Sequence, residues 1–508
     1  MKSLPARLSA CLRSASRGAL WWALAAGLLT TVPLATAQPR KDSAVLAMTL
    51  EPPGLDPTAG AASAIAEITL YNIFETLTKV PSDGQPVPLL AESWTASPDL
   101  RVWTFRLRQG VKFHNGEPFD AATVKFAFER AAAAGSANKD RATFANIDGI
   151  ATPDAHTVVL TLKNGNPDLP FQLGQATAVM VEPKSAAGNA TQPVGTGPYR
   201  LDSWARGSSM TLLRWDSHRN AKSVALRRVT MRFISDPAAQ VAALLSGDVD
   251  AFPRVSAARS LGAFGNSARF QVLVAGSRAK TILAMNHKRK PLDDVRVRQA
   301  IASAIDRRAV VEGAADGYGV PIGSYYVPGA PGYIDTTAIN AYDPARSRAL
   351  LTRAGVALPL ELTLKLPPPP YARQGGEVIA AMLAKVGINA KIENVEWAQW
   401  LGGTFKGNFD LSVINHVEPL DYMQYANTGY YWGYDSKAFR DLAAQHAAAG
   451  NAKERAKLFG DLQRLIATDA VNAFLFNPTN VSVSRQGLKG LWAGSPIFAN
   501  DMAAVSWQ

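Results

Sequence analysis

The chain has 508 residues, with 53 lysines and arginines against 41 aspartates and glutamates and 47% hydrophobic residues, a globular balance at a length that requires more than one lobe. Its 39 glycines and 32 prolines follow no three-residue period, which excludes collagenous and low-complexity architectures. The formal charge of +12 is dispersed with no basic stripe interleaved with aromatics, so nucleic acid is not an expected partner.

Residues 1–37 read as a secretory signal peptide. Lys2, Arg7, Arg13 and Arg17 precede an apolar run from Ala19 to Leu34, and Ala35-Thr36-Ala37 fits small-residue cleavage before Gln38. Cleavage near Ala37 removes four basic and no acidic residues, so the charge falls from +12 to +8. It also removes Cys11, the single cysteine, which predicts an exported periplasmic protein without disulfides or a lipid-bearing cysteine.

In chain order, Val45 to Leu50 reads as a strand running into Glu51-Pro52-Pro53-Gly54-Leu55-Asp56-Pro57, whose prolines exclude helix and central strand. Ala64 to Leu77 has one apolar face at helical spacing, and Trp103 to Leu107 alternates as a strand. Asp120 is placed to cap a helix over Ala121 to Ala134. Strands follow at Thr157 to Leu162, Met210 to Arg214 and Val229 to Phe233. Asp236-Pro237 opens a helix that Gly247 closes, and Asp343-Pro344 opens one that ends at Gly355. A helix from Gly376 to Val386 leads through Gly387 into a strand from Ile388 to Val395, the grammar of an α/β fold. A strand at Phe409 to Ile414, helices over Lys437 to Ala449 and Ala452 to Thr468, and two short strands at Ala473 to Phe476 and Val481 to Val483 complete the expected elements. No long Gly/Ser linker separates them, so any lobes are joined by short hinge segments.

Leu90-Ala91-Glu92-Ser93-Trp94, the run Trp103 to Gly116 and Phe119-Asp120-Ala121 resemble the signature of the bacterial extracellular solute-binding proteins of family 5, the periplasmic peptide and nickel receptors of ABC importers. Leu55-Asp56-Pro57, Gly195-Thr196-Gly197-Pro198-Tyr199, Asn286, Val297 to Ile301, Ala304 to Arg307 and Val386-Gly387-Ile388 extend the likeness. The resemblance implies a two-lobed α/β clamshell of the periplasmic-binding-protein type, with an extra subdomain inserted in the first lobe. The expected division is 38–80, 181–280 and 481–508 for the first lobe, 81–180 for the insert and 281–480 for the second lobe, with crossings near Thr281 and Thr479.

It further implies that a small solute, by family default a peptide, is enclosed between the lobes of a monomer and passed to an inner-membrane ABC permease. Peptide receptors of the family hold the ligand's ammonium with an aspartate in a D-x-x-[DE]-P segment, which here reads Asn415-His416-Val417-Glu418-Pro419. An amide carries no charge to offset a buried cation. Glu418 or Asp421 from the same loop, or Glu51 from the first lobe, would have to substitute; otherwise the solute is an opine, another amino-acid conjugate or a metal chelate such as nickel touched by His416. Trp397 and Trp400 read equally as cleft wall or core. Tyr371 and Arg373, after the rigid Pro367 to Pro370, are expected at the cleft mouth, and the aromatic stretch Tyr425 to Tyr434 as wall or packing.

Catalysis is not expected. The mature sequence holds no cysteine nucleophile, G-x-S-x-G elbow, H-E-x-x-H pair or Walker loop, although a paired-carboxylate hydrolase is a remote alternative. The six histidines are scattered without metal-ligand spacing, so no direct protein cage for a metal and no cofactor are expected.

Overall fold

The computed structural model describes residues 41–508, apart from 61, 256–259 and 266. The signal-peptide reading falls on residues outside this range. Among the described residues, no helix is long and apolar enough to cross a membrane.

The first sheet grows outward from the strand Ser43–Met48. It pairs in parallel with Arg228–Phe233, which carries Ser209–Arg214 and then Tyr199–Ala205 in antiparallel order. Leu46, Met210, Leu212, Val229 and Met231 are buried in one core against it, and Ala47 in a second. The helix Pro237–Ser246 follows this sheet as expected, with Asp236 accepting from Ala239 N and Gly247 left-handed at its C-terminus, an arrangement in which the cap contributes about 1 kcal/mol.

Residues 91–162 form a separate four-stranded antiparallel sheet ordered Ala91–Ala96, Val102–Leu107, Thr157–Leu162, Ile147–Asp154. The alternation of Val102–Leu107 sends Trp103, Phe105 and Leu107 into a core with Val124 and Phe128 of the helix Ala121–Ala132. The aromatic residues of the family-like signature are therefore packing residues, each worth about 1.5–3 kcal/mol of burial.

A further sheet holds Ile388–Asn394, Leu360–Leu366, Leu411–His416 and Lys280–Met285. Asn472–Arg485 joins the two large sheets. The sequence suggested two short strands here; the structure has one strand of 14 residues, pairing with Lys280–Met285 through its first half and with Phe270–Gly276 through its second. Pro478 does not break it, since it falls between the pairing with Lys280–Met285, which ends at Phe476, and that with Phe270–Gly276, which starts at Thr479. The chain thus passes between the sheets at Ser277–Ala279 and at Asn477–Thr479, two antiparallel segments lying side by side.

Two other expectations are corrected. The first helix spans only Ser63–Thr69, and Tyr71 is left-handed at φ 64. The chain turns there because the carbonyls of Asn72 and Ile73 accept from Tyr199 N and Gly197 N, a close approach that only glycine allows: a Cβ at Gly197 would lie 2.3 Å from Asn72 O. The helix expected from Gly376 begins earlier, at Pro370, which takes the first helical position where a missing N–H costs nothing.

Candidate functional site

Two polar groups gather where the strands Leu411–His416 and Leu360–Leu366 end, at the edge next to the crossings, the place where open α/β sheets present residues to ligands. Strand alternation separates them. Thr281 pairs with Asn415 and Lys280 with His416, so adjacent residues stand on opposite faces. On one face Asn415 Oδ1 and Thr281 Oγ1 are buried without hydrogen-bond partners. Tyr371, whose phenol is pushed up to about 12 by burial, lies against the Asn415 backbone.

On the other face Lys280 Nζ lies 2.9 Å from Asp421 Oδ1, with side chains only 3% and 5% exposed. The same ammonium donates to the Glu418 carbonyl. His416 Nδ1 is 3.7 Å from Asp421 Oδ2, and its Nε2 is 2.9 Å from the Tyr431 hydroxyl. Burial holds the His416 imidazole below its ordinary pKa, against the charges of Asp421 and Glu418, which act to raise it, and with a smaller push from Lys280. Asp421 is therefore already matched by the cation that heads the strand Lys280–Met285. Glu418, by contrast, keeps a side chain 61% exposed, 4.0 Å from His416 Nδ1.

Of the other residues singled out from sequence, Glu51 is bound within its own sheet, accepting from Trp204 Nε1 at 2.8 Å and Gly207 N at 2.9 Å. Its carboxylate is not brought to Lys280 or His416, because the hairpin holding Trp204 claims both oxygens. Trp400 is buried and donates to Ser412 Oγ at 3.0 Å, while Trp397 beside it is exposed. Arg373 pairs with Glu396 at 3.1 Å on the second lobe, leaving its Nε without a partner. Tyr425, Tyr431, Trp432 and Tyr434 are buried in one aromatic cluster with Tyr325, Tyr326 and Phe459.

Four residues that sequence reasoning passed over complete the region. Asp168, from the stretch following the inserted sheet, accepts a 2.5 Å hydrogen bond from the Tyr422 hydroxyl across 254 residues of chain. Burial raises the Asp168 pKa. Tyr325 and Tyr326 feel the charges of both Asp168 and Asp421. Lys280 left one trace in the sequence: a charged residue heads the otherwise apolar run Thr281-Ile282-Leu283-Ala284-Met285.

His416, Glu418 and Asp421 offer ligand atoms within 4.8 Å of one another, a spacing that could hold a metal ion. Lys280 opposes that use, since its ammonium already sits against Asp421 and would repel a second cation.

Comparison with known proteins gives this arrangement its context. Residues 85–437 match the family model described as bacterial extracellular solute-binding proteins, family 5 Middle. The chain is 27% identical over 498 residues to the glutathione-binding protein GsiB of Salmonella paratyphi A, covering 93% of this chain and 96% of that protein. It is 26% identical over 496 residues to the probable D,D-dipeptide-binding periplasmic protein DdpA of Escherichia coli K12, covering 92% and 94%. The solved structure of AgaA from A. tumefaciens R10 in complex with agropinic acid superposes with a TM-score of 0.77 at 27% identity, over 92% of this chain and 99% of that one. With the family model spanning well over half its length, and with two lobes joined by paired crossings, the chain belongs to the bacterial extracellular solute-binding proteins of family 5.

Proposed function

We propose that this chain is the periplasmic receptor of an ABC importer, exported with cleavage near Ala37, acting as a monomer without catalysis and delivering a small peptide or peptide-like solute to an inner-membrane permease. The observation that carries the reading is the polar region at the crossings, where Lys280, Asp421 and His416 are buried together and the adjacent Tyr422 reaches Asp168, 254 residues away in the chain. Buried polar groups cost free energy unless matched, and a cleft that closes on a polar solute is where a protein of this architecture uses them. The lobe division follows the crossings, with the first lobe ending at Ser277–Ala279 and resuming after Asn477–Thr479.

A second reading, a solute that is an opine or another amino-acid conjugate, is supported by a particular feature. Asn415 brings no charge, and Asp421 is taken by Lys280, so the second lobe keeps only the exposed Glu418 among these candidates for a ligand ammonium.

Mass spectrometry of what co-purifies with the mature protein, followed by small-angle scattering with and without that compound, tests the proposal. A bound small solute and a smaller radius on binding are expected. An unchanged scattering profile at saturating solute would overturn the closing-receptor mechanism.

A further inference from the structure

Arg278 stands on the first crossing, between the strands Phe270–Gly276 and Lys280–Met285. It is 9% exposed, and its Nη1 is buried with no hydrogen-bond partner. Among the described residues no carboxylate lies within ion-pairing distance of it. The charged group that acts on it from the first-lobe side is Asp83, whose carboxylate accepts from Gln85 N at 2.9 Å on an exposed turn. The other group that acts on it is Tyr326, without a hydrogen bond between them.

The surroundings are shaped to this guanidinium. Gly84, left-handed at φ 79, lies so close that a Cβ there would come within 2.3 Å of Arg278 Nη2 and 3.4 Å of Pro496 Cβ. The left-handed backbone favours glycine at this position, and a side chain there would displace the end of the guanidinium from where it lies. Neighbouring charges are spent on one another: Lys280 is balanced by Asp421, and Asp168 is engaged by Tyr422.

A buried guanidinium with an orphaned N–H is costly by itself when nothing compensates the charge. A planar anion offers both the charge and the acceptor geometry that such a fork is made to receive. We propose that Arg278 is an anion-binding residue of the cleft between the lobes, and that the captured solute carries a carboxylate that meets Arg278 Nη1 beside the Tyr326 hydroxyl. The proposal rests on the solute-receptor reading and adds to it the chemistry of one end of the ligand.

The test uses the mature protein and paired probes that differ only at the acid. These are alanine di- and tripeptides, free and N-acetylated, each as carboxylate and as C-terminal amide, together with N-acylated amino acids and their amides. Affinities are measured by calorimetry for the wild type, Arg278→Gln and Arg278→Lys. The expected result is an acid-over-amide preference of about 30-fold or more in the wild type, reduced to within about threefold in Arg278→Gln and partly kept in Arg278→Lys. Without probe, Arg278→Gln is expected to melt no lower than the wild type, since it removes an uncompensated buried charge, and Arg278→Lys carries the comparison if the glutamine variant does not fold. Equal binding of acid and amide by the wild type, or a preference untouched by Arg278→Gln, overturns the anion site while leaving the receptor reading intact. Binding of the acylated amino acids alone overturns the peptide reading and upholds the anion site; silence from every probe overturns both.

Discussion

The side-chain amide of Asn477 donates to the Ala279 carbonyl at 2.7 Å, fastening the two crossings between the lobes to each other. The same nitrogen lies 3.0 Å from the Ser277 carbonyl, and Ser277 Oγ returns a bond of 2.7 Å to the Pro478 carbonyl. Neither crossing can shift without breaking bonds to the other.

Replacing Asn477 with alanine leaves buried carbonyls without donors. A loss of about 1–3 kcal/mol is expected in denaturant unfolding. Scattering from the variant should show a broader range of lobe separations than the wild type; an unchanged profile would show that the stitch does not set the hinge.

Lys280 and Asp421 form a pair almost fully withdrawn from water. Lys280→Met strands the carboxylate, and a destabilisation of about 3–5 kcal/mol is expected, whereas the double variant Lys280→Met with Asp421→Leu should recover most of it. A double-mutant cycle from chemical denaturation measures the difference. Equal cost for the single and double variants would mean that packing, and not charge, fixes Lys280 in place.

The Tyr422 hydroxyl bridges to Asp168, which follows the separate sheet of residues 91–162. Tyr422→Phe leaves a buried acceptor unpaired when these parts meet, at a cost of about 1–3 kcal/mol. The expected outcome is a larger radius in scattering without solute, and weaker solute binding with the solute contacts unaltered. If radius and affinity both match the wild type, the bond does not bias closure.

Stability should fall as the pH drops below neutrality. His114 is pushed down to about 4 and His287 to about 3, burial being the main cause in both. Both are held as neutral rings: His114 Nε2 meets the Gly197 carbonyl at 2.9 Å and Nδ1 accepts from Gly195 N, while His287 Nε2 meets the Val471 carbonyl at 2.8 Å. Each has a folded pKa below its unfolded value, so the unfolded chain takes up the proton first and stability is lost as pH falls through about 6.5 toward 4. Glu75, lowered to about 2 by its bonds to His218 and Arg219 against the opposing effect of burial, adds a loss below about 4.5. Urea unfolding at pH 7, 6 and 5 should show a slope approaching about 1.4 kcal/mol per pH unit for each histidine; a flat profile from 7 to 5 would show that these rings titrate normally.

Much of this protein is written in local sequence. Asp120, Asp236 and Asp343 cap the helices that follow them, and Gly247 closes its helix, because caps are satisfied by residues two or three positions away. The alternation of Val102–Leu107 and the run Ile388–Asn394 announce strands for the same local reason. The motifs from Leu55 to Gly387 also carried the family resemblance, since the turns and aromatic packing they encode are common to the fold.

The site is a different matter. Asn415, His416 and Glu418 look like one cluster in sequence, yet the pleat sends Asn415 toward Thr281 and His416 toward Lys280, while Glu418 stays in solvent. Glu51 is held by Trp204, 153 residues away, a pairing that no local pattern announces. Arg278, Lys280 and Asp168 have no motif at all. What makes them notable is burial and the presence or absence of a partner, and those are fixed by which distant strands and lobes the fold brings together.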